Sequence, residues 1–159
     1  MKISILCVGK IKEKFFVQAL EEYQKRLRRY CDLEIIEVSD EKTKEEASET
    51  EIRLVKEKEG ERLRRHIKED GYVIALAIEG KMMDSVTLSH KIQQLGVQGK
   101  SHIYFIIGGS LGLSDDILRE ADFLLSFSPM TFPHQLMRVI LLEQVYRSYR
   151  IMNGEPYHK

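Results

Sequence analysis

The chain has no tryptophan, two cysteines and three prolines among 159 residues, and no net charge, with 25 basic residues against 25 acidic ones. Each scarcity removes a class of protein. Two cysteines cannot build a disulfide framework, and neither Cys7 nor Cys31 has a Cys or His nearby at metal-ligand spacing. Both read as reduced core thiols, and no metal is expected. The longest apolar runs, such as Tyr72 to Ile78 and Ile103 to Ile107, fall far short of the roughly 20 residues of a membrane-spanning helix. The opening Met1-Lys2-Ile3-Ser4-Ile5-Leu6-Cys7-Val8-Gly9 lacks a following small-residue cleavage site and reads as a first strand rather than a signal peptide, so a cytoplasmic address is expected. A balanced charge gives no overall steering toward polyanions, which leaves any RNA contact to a local patch.

What is present is material for one core. Hydrophobic residues make up 43% of the chain and charged residues 31%, which excludes a disordered chain, and the length suits a single domain over residues 1–159. Strand-length apolar runs at Lys2 to Val8, Leu33 to Val38, Tyr72 to Ile78, His102 to Ile107 and Phe123 to Phe127 alternate with helical patterns. That alternation predicts an α/β fold with a mostly parallel sheet and helices on both faces. The third and fourth runs are almost continuously apolar, as central strands buried on both sides should be.

The first helix is expected over Glu13 to Tyr30, where Phe15, Phe16, Ala19, Leu20, Tyr23, Leu27 and Tyr30 fall at steps of three and four. Its other face, with Lys12, Lys25, Arg26, Arg28 and Arg29, reads as a solvated surface before it reads as a phosphate site. Residues 40–70 are dense in both charges and predict a loop and an exposed helix without chemistry. Asp84 or Ser85 should cap a helix to about Leu95, Ser114 a short one to Ala121, and Pro133 should open a last helix ending near Met152.

In parallel α/β sheets ligands bind beyond the carboxyl ends of the strands. The loops there are Glu79-Gly80-Lys81, Gly108-Gly109-Ser110-Leu111-Gly112 and Ser126-Phe127-Ser128-Pro129-Met130-Thr131-Phe132-Pro133-His134. The double glycine permits close backbone approach, although its spacing matches neither a dinucleotide fingerprint nor a Walker loop. The third loop, apolar and stiffened by two prolines, suits a slot for a flat ring such as adenine. All three are expected to converge on one pocket.

The last helix carries Leu136, Met137, Val139, Ile140, Leu141 and Leu142 on nearly all sides, so one flank should face the sheet and the other a second copy of the chain. Glu143 and Arg147, four residues apart, read as an ordinary surface pair, whereas Arg138 among apolar neighbours needs a partner or a ligand. The closing Pro156-Tyr157-His158-Lys159 reads on its own as a frayed terminus. For His134, after Pro133 at a helix start, a structural role weighs at least as much as catalysis, and His66, His90 and His102 draw no role.

Taken together, the Ile-Leu-Cys-Val-Gly-Lys strand, Phe-Ile-Ile-Gly-Gly-Ser, Ser-Phe-Ser-Pro-Met-Thr-Phe-Pro-His-Gln-Leu-Met-Arg, Glu-Gln-Val-Tyr-Arg and Pro-Tyr-His-Lys resemble the RlmH family over the whole chain. These are pseudouridine N3-methyltransferases of large-subunit ribosomal RNA, of the SPOUT or trefoil-knot class. The resemblance implies a C-terminal trefoil knot, a homodimer, and S-adenosylmethionine as cofactor. It places cofactor contacts on Leu76, Gly108, Phe127, Ser128, Pro129, Met130, Thr131 and Phe132.

Transfer to the imide nitrogen requires its proton to be managed. His158 is the candidate base, Tyr157 the residue that orients or stacks on the target, and Arg138 the cation for phosphate or a developing imidate. Without an added RNA-binding domain, specificity is expected from the assembled ribosome, with Lys10, Lys12, Lys14, Arg26, Arg28 and Arg29 aiding docking. The competing readings are methylation of another RNA such as tRNA, a non-catalytic RNA-binding module, and a nucleotide-cofactor oxidoreductase, the last disfavoured by the missing fingerprint.

Overall fold

A computed structural model describes residues 1–159. Its five strands are β1 Lys2–Val8, β2 Asp32–Val38, β3 Tyr72–Met82, β4 His102–Ile107 and β5 Phe123–Ser126. They form one sheet in the order β2-β1-β4-β3-β5, and every neighbouring pair is parallel. The continuous apolar run of β4 has its reason in this order: β4 is the middle strand, covered on both faces, and Ile103, Tyr104, Phe105 and Ile106 are all shut off from water.

Alternate residues of β1 feed two cores. Ile3, Ile5 and Cys7 join Phe105 and Ile74 under helices α1 Lys14–Leu27, α3 Ser85–Val97 and α5 His134–Met152. Leu6 and Val8 join Tyr104 and Ile106 under α2 Glu49–Arg64 and α4 Asp115–Glu120. Helices therefore lie on both faces, as expected. Cys7 and Cys31 are free thiols, and burial pushes them up to about 12 and about 11, so neither is a ready thiolate.

The caps at Asp84 and Ser114 fall where the sequence put them, and Ser48 adds one that it did not name. Ser48, Asp84 and Ser114 each accept a backbone N–H in the first turn of α2, α3 and α4. Pro133 is displaced by one position, preceding α5 in extended conformation rather than opening it. Helix α1 also stops at Leu27, three residues early, in a turn closed by Tyr30 N–H to Leu27 O at 2.9 Å.

Two differences shape the ligand-binding end. β3 runs four residues past Ile78, because Lys81 and Met82 pair with Leu125 and Ser126 after a register shift. Leu125 thus pairs with both Leu76 and Lys81. The second concerns α5, most of whose apolar circumference is covered within the chain while one flank stays open. It packs on the sheet and between α1 and α3, burying Met137, Leu141, Leu142, Val145, Tyr146 and Tyr149, while Val139 and Ile140 stay half-buried and Leu136 exposed.

Candidate functional site

Parallel pairing brings the three strand ends level. Ala75 stands opposite both Ile106 and Leu124, so Leu76, Ile107 and Leu125 end side by side. Above them opens a cavity of about 390 Å³, within the roughly 300–1,000 Å³ of small-molecule sites. Its walls come from all three loops singled out above. Leu76, Gly108, Phe127, Ser128, Met130, Thr131 and Phe132 line it, whereas Pro129 stands exposed outside the lining.

The glycine loop is packed backbone against backbone. A Cβ on Gly108 would stand 2.7 Å from the carbonyl carbon of Gly112, whose own φ of +88° belongs to the left-handed region. Gly112 N–H donates to Gly109 O at 3.0 Å and closes the turn. The other wall is stiffened by Ser128, whose hydroxyl oxygen accepts from Met130 N–H at 3.0 Å while its carbonyl accepts from Ser126 Oγ at 3.2 Å. An apolar slot with backbone polar groups on its rim suits a nucleoside.

Three titratable lining residues draw no site role from the sequence. His134, read there as structural at least as much as catalytic, is half-buried at the cavity, and burial first, then the Arg138 cation, hold its imidazole below the ordinary range. Lys56 reaches the cavity from α2, a segment expected to carry no chemistry. Asp115 joins it from the first turn of α4. Also on α2, Glu59 is a buried carboxylate packed toward Gly109, taking Glu41 N–H at 2.9 Å, and burial raises it above the usual carboxylate range. Helical periodicity finds apolar faces, so a charge aimed inward by tertiary packing leaves no mark in it.

Arg138 corrects an expectation. Its side chain is 1% exposed, and its guanidinium is bonded to Glu37 at 2.7 Å, Val8 O at 2.9 Å and Gly9 O at 2.8 Å. The partner it needed is Glu37, and it lines neither the cavity nor the tail's hollow. Those bonds use the charge to fasten α5 to the ends of β1 and β2, so it is not free for phosphate or an imidate.

The terminus is docked rather than frayed. Tyr157 donates its hydroxyl to Glu143 at 3.0 Å and meets the Tyr146 ring edge-on at 5.0 Å. Glu155 is gripped by Arg150 at 2.6 Å and by the Tyr30 hydroxyl at 2.8 Å. Glu143 and Arg147 are accordingly more than a surface pair: they are largely buried, 2.6 Å apart, and Arg147 stacks over Tyr157 and meets His158 Nδ1 at 3.2 Å. Guanidinium nitrogens only donate, so Nδ1 accepts and the docked ring carries its proton on Nε2. His158 lines a second hollow of about 390 Å³, which shares only Leu125 and Phe127 with the cavity. Tyr157 and His158 thus stand together, one wall away from the cavity.

The comparisons with known proteins bear on the family and the fold. A family model described as Predicted SPOUT methyltransferase matches residues 1–158. The chain belongs to the SPOUT methyltransferase family. It is 63% identical to a ribosomal RNA large subunit methyltransferase H from Bifidobacterium adolescentis and 62% identical to one from Shouchella clausii, each alignment covering 100% of both chains. A relative of the same name from Clostridium novyi is 58% identical over the same extent. A solved structure of a probable methylase family protein from Haemophilus influenzae Rd KW20 superposes with a TM-score of 0.56 at 12% identity, covering 99% of this chain and 70% of that one. That likeness concerns the fold.

A SPOUT methyltransferase works with a methyl-donor cofactor. The cavity fits one, being apolar at the strand ends and charged at Lys56, Glu79 and Asp115. No cluster of three or more His, Cys, Asp or Glu side chains is arranged to hold a metal ion, and no helix is long and apolar enough to cross a membrane.

Proposed function

We propose that this chain methylates N3 of a pseudouridine in large-subunit ribosomal RNA with S-adenosylmethionine as donor, acting as a cytoplasmic homodimer on the assembled ribosome. The observation that carries the reading is the cavity at the ends of β3, β4 and β5, lined by seven of the eight positions expected to touch the cofactor. The full-length relatives named as large-subunit rRNA methyltransferases support the acceptor. The trefoil threading belongs to the same reading and is supported by the match of the SPOUT methyltransferase family model to residues 1–158. A two-fold contact through Leu136, Val139 and Ile140 is supported by the exposure left on that flank of α5. Residues 1–159 act as one catalytic unit.

S-adenosylmethionine, when bound, supplies an electrophilic methyl carbon on sulfur. Leu76, Gly108 and the 127–132 loop hold the donor and exclude water around it. The acceptor nitrogen is weakly nucleophilic while protonated, so His158 is assigned the proton. In the docked tail its Nδ1 is occupied by Arg147, and Nε2 offers a proton rather than a lone pair. The ring becomes a base when it leaves Arg147, so tail movement accompanies entry of the RNA. Tyr157 travels with it and stacks on the target base. Arg138 acts at a distance as a positioning residue. Lys10, Lys12 and Lys14, with Arg26, Arg28 and Arg29, supply positive charge for docking, although Arg26 and Arg29 are partly committed to stacking on Tyr23, Tyr146 and Tyr30.

The test is single-turnover transfer to ribosomes lacking the methyl group. His158→Ala should slow transfer from bound donor by about a hundredfold while leaving donor affinity within about threefold. A full-rate variant removes the tail from the chemistry. Absence of donor binding to the wild type, measured by calorimetry, overturns the cavity assignment and favours a non-catalytic RNA-binding protein.

A further inference from the structure

The cavity has a polar end that the reaction itself does not explain. Its charged lining consists of Lys56 from α2, Glu79 from the extension of β3 and Asp115 from α4, with His134 beside them. Lys56 is half-buried and forms no ion pair, whereas Arg53, Arg62 and Arg64 on the same helix are each paired, with Glu57, Glu41 and Glu120. Asp115 and Glu79 likewise have no cation within salt-bridge distance. Lys56 and Asp115 also line an adjoining hollow of about 420 Å³, so they stand where the two hollows meet. A partly desolvated cation without a protein partner leaves electrostatic energy unused unless a ligand supplies the anion.

One cation and two carboxylates lining a largely apolar slot complement a zwitterion. The apolar strand ends and the 127–132 loop accommodate the nucleoside, which leaves an amino-acid end, with its carboxylate and ammonium, for the charged lining. We propose that Lys56 binds the carboxylate at the amino-acid end of the methyl donor, so that the site selects a nucleoside sulfonium carrying an intact amino acid over one without it. This rests on the reading of the cavity as the donor site. Asp115 and Glu79 face the ammonium. Lys56 is a specificity residue in this arrangement and takes no part in moving the methyl group or the proton.

Two probes separate the possibilities: S-adenosylhomocysteine, which retains the amino-acid end, and 5′-methylthioadenosine, the same adenosine thioether without it. Calorimetric titration of the full chain should give wild-type preference for S-adenosylhomocysteine. Lys56→Gln should weaken S-adenosylhomocysteine about tenfold, equivalent to ~1.4 kcal/mol, and change methylthioadenosine by less than twofold. Lys56→Arg should restore most of the preference, which a merely structural lysine would not predict. Thermal melts of both variants should match the wild type, since the side chain is half-exposed and unpaired.

Equal weakening of both probes overturns the inference, as does no change in either. Weakened ribosome association with unchanged S-adenosylhomocysteine binding also overturns it and assigns Lys56 to RNA phosphate. If neither probe binds the wild type, the donor cavity itself fails, and the inference falls with it.

Discussion

The strand-end cavity shares Leu125 and Phe127 with the hollow that His158 of the docked tail lines, yet cavity and tail are made of opposite materials. Backbone and apolar side chains at three parallel strand ends form most of the cavity. The tail is fastened by charged and aromatic side chains: Glu143, Arg147 and Arg150 on α5, with Tyr30 after α1. Close packing tolerates neither added volume nor displacement, and salt barely affects it. Partly exposed ion pairs are worth little each and weaken with ionic strength. Under the proposed function, the contrast lets one small chain hold a methyl donor rigidly and still free Tyr157 and His158 for the target nucleotide.

The most severe way to break the cavity without touching the tail is Gly108→Val. Its Cβ would press on the Gly112 carbonyl at 2.7 Å, and backbone cannot rotate away as a side chain can. Donor binding should fall below calorimetric detection while the Tyr157 contacts persist, and a variant that bound normally would show that the loop is not the floor of the site. Arg138→Ala tests what lies under the cavity. It strips Glu37 of its partner and leaves the Val8 and Gly9 carbonyls without their donor, so urea unfolding should register a loss of about 3 kcal/mol, moderated by the partial exposure of Glu37.

A gentler change strikes the tail alone. Glu143→Gln removes the anion beneath Tyr157 and Arg147, and should cost about 1 kcal/mol of stability. The difference from wild type should shrink at high salt, and limited proteolysis should cut the last residues faster. Donor affinity should not change, and a parallel loss of donor binding would erase the distinction between the two regions.

The smallest effect is the pH dependence of stability. Burial, with Arg138 beside it, lowers His134, and burial with Lys2 nearby lowers His102. Below about pH 6.5 the unfolded chain therefore takes up protons that the folded chain refuses, and stability falls as pH drops toward the folded values. His134→Gln should make that fall shallower in urea titrations. Glu59 has the opposite sign, since a raised carboxyl loses its contribution as pH rises through its folded value. Glu59→Gln should consequently stabilise the protein at neutral pH, whereas a loss there would mean that the Glu59 charge is wanted at Gly109.

The same contrast governs what could be read in advance. The cavity lies in strand-end loops of unusual composition, and strand ends are legible because buried parallel strands are continuous apolar runs such as Ile103 to Ile107. Gly108 and the 127–132 segment were therefore open to prediction from order along the chain. The tail was not. Pro156 to Lys159 is seven residues or fewer from the helix end, and its position depends on Glu143, Arg147 and Tyr30 meeting it in space. Arg138 and Lys56 show the same limit in reverse. One looked available for a ligand and is consumed by Glu37, while the other looked solvated and faces the cavity.

By itself the sequence determined the alternation of five strands and five helices, the caps at Asp84 and Ser114, and the three loops that converge, because propensity and periodicity act within a few residues of one another. Only the tertiary structure decided the strand order, the register that levels Leu76, Ile107 and Leu125, the flank of α5 taken up by α1 and α3, and which charges point inward. Those outcomes depend on contacts between residues as far apart as Glu37 and Arg138, whose worth is set by burial and mutual distance, quantities that exist only once the chain has folded.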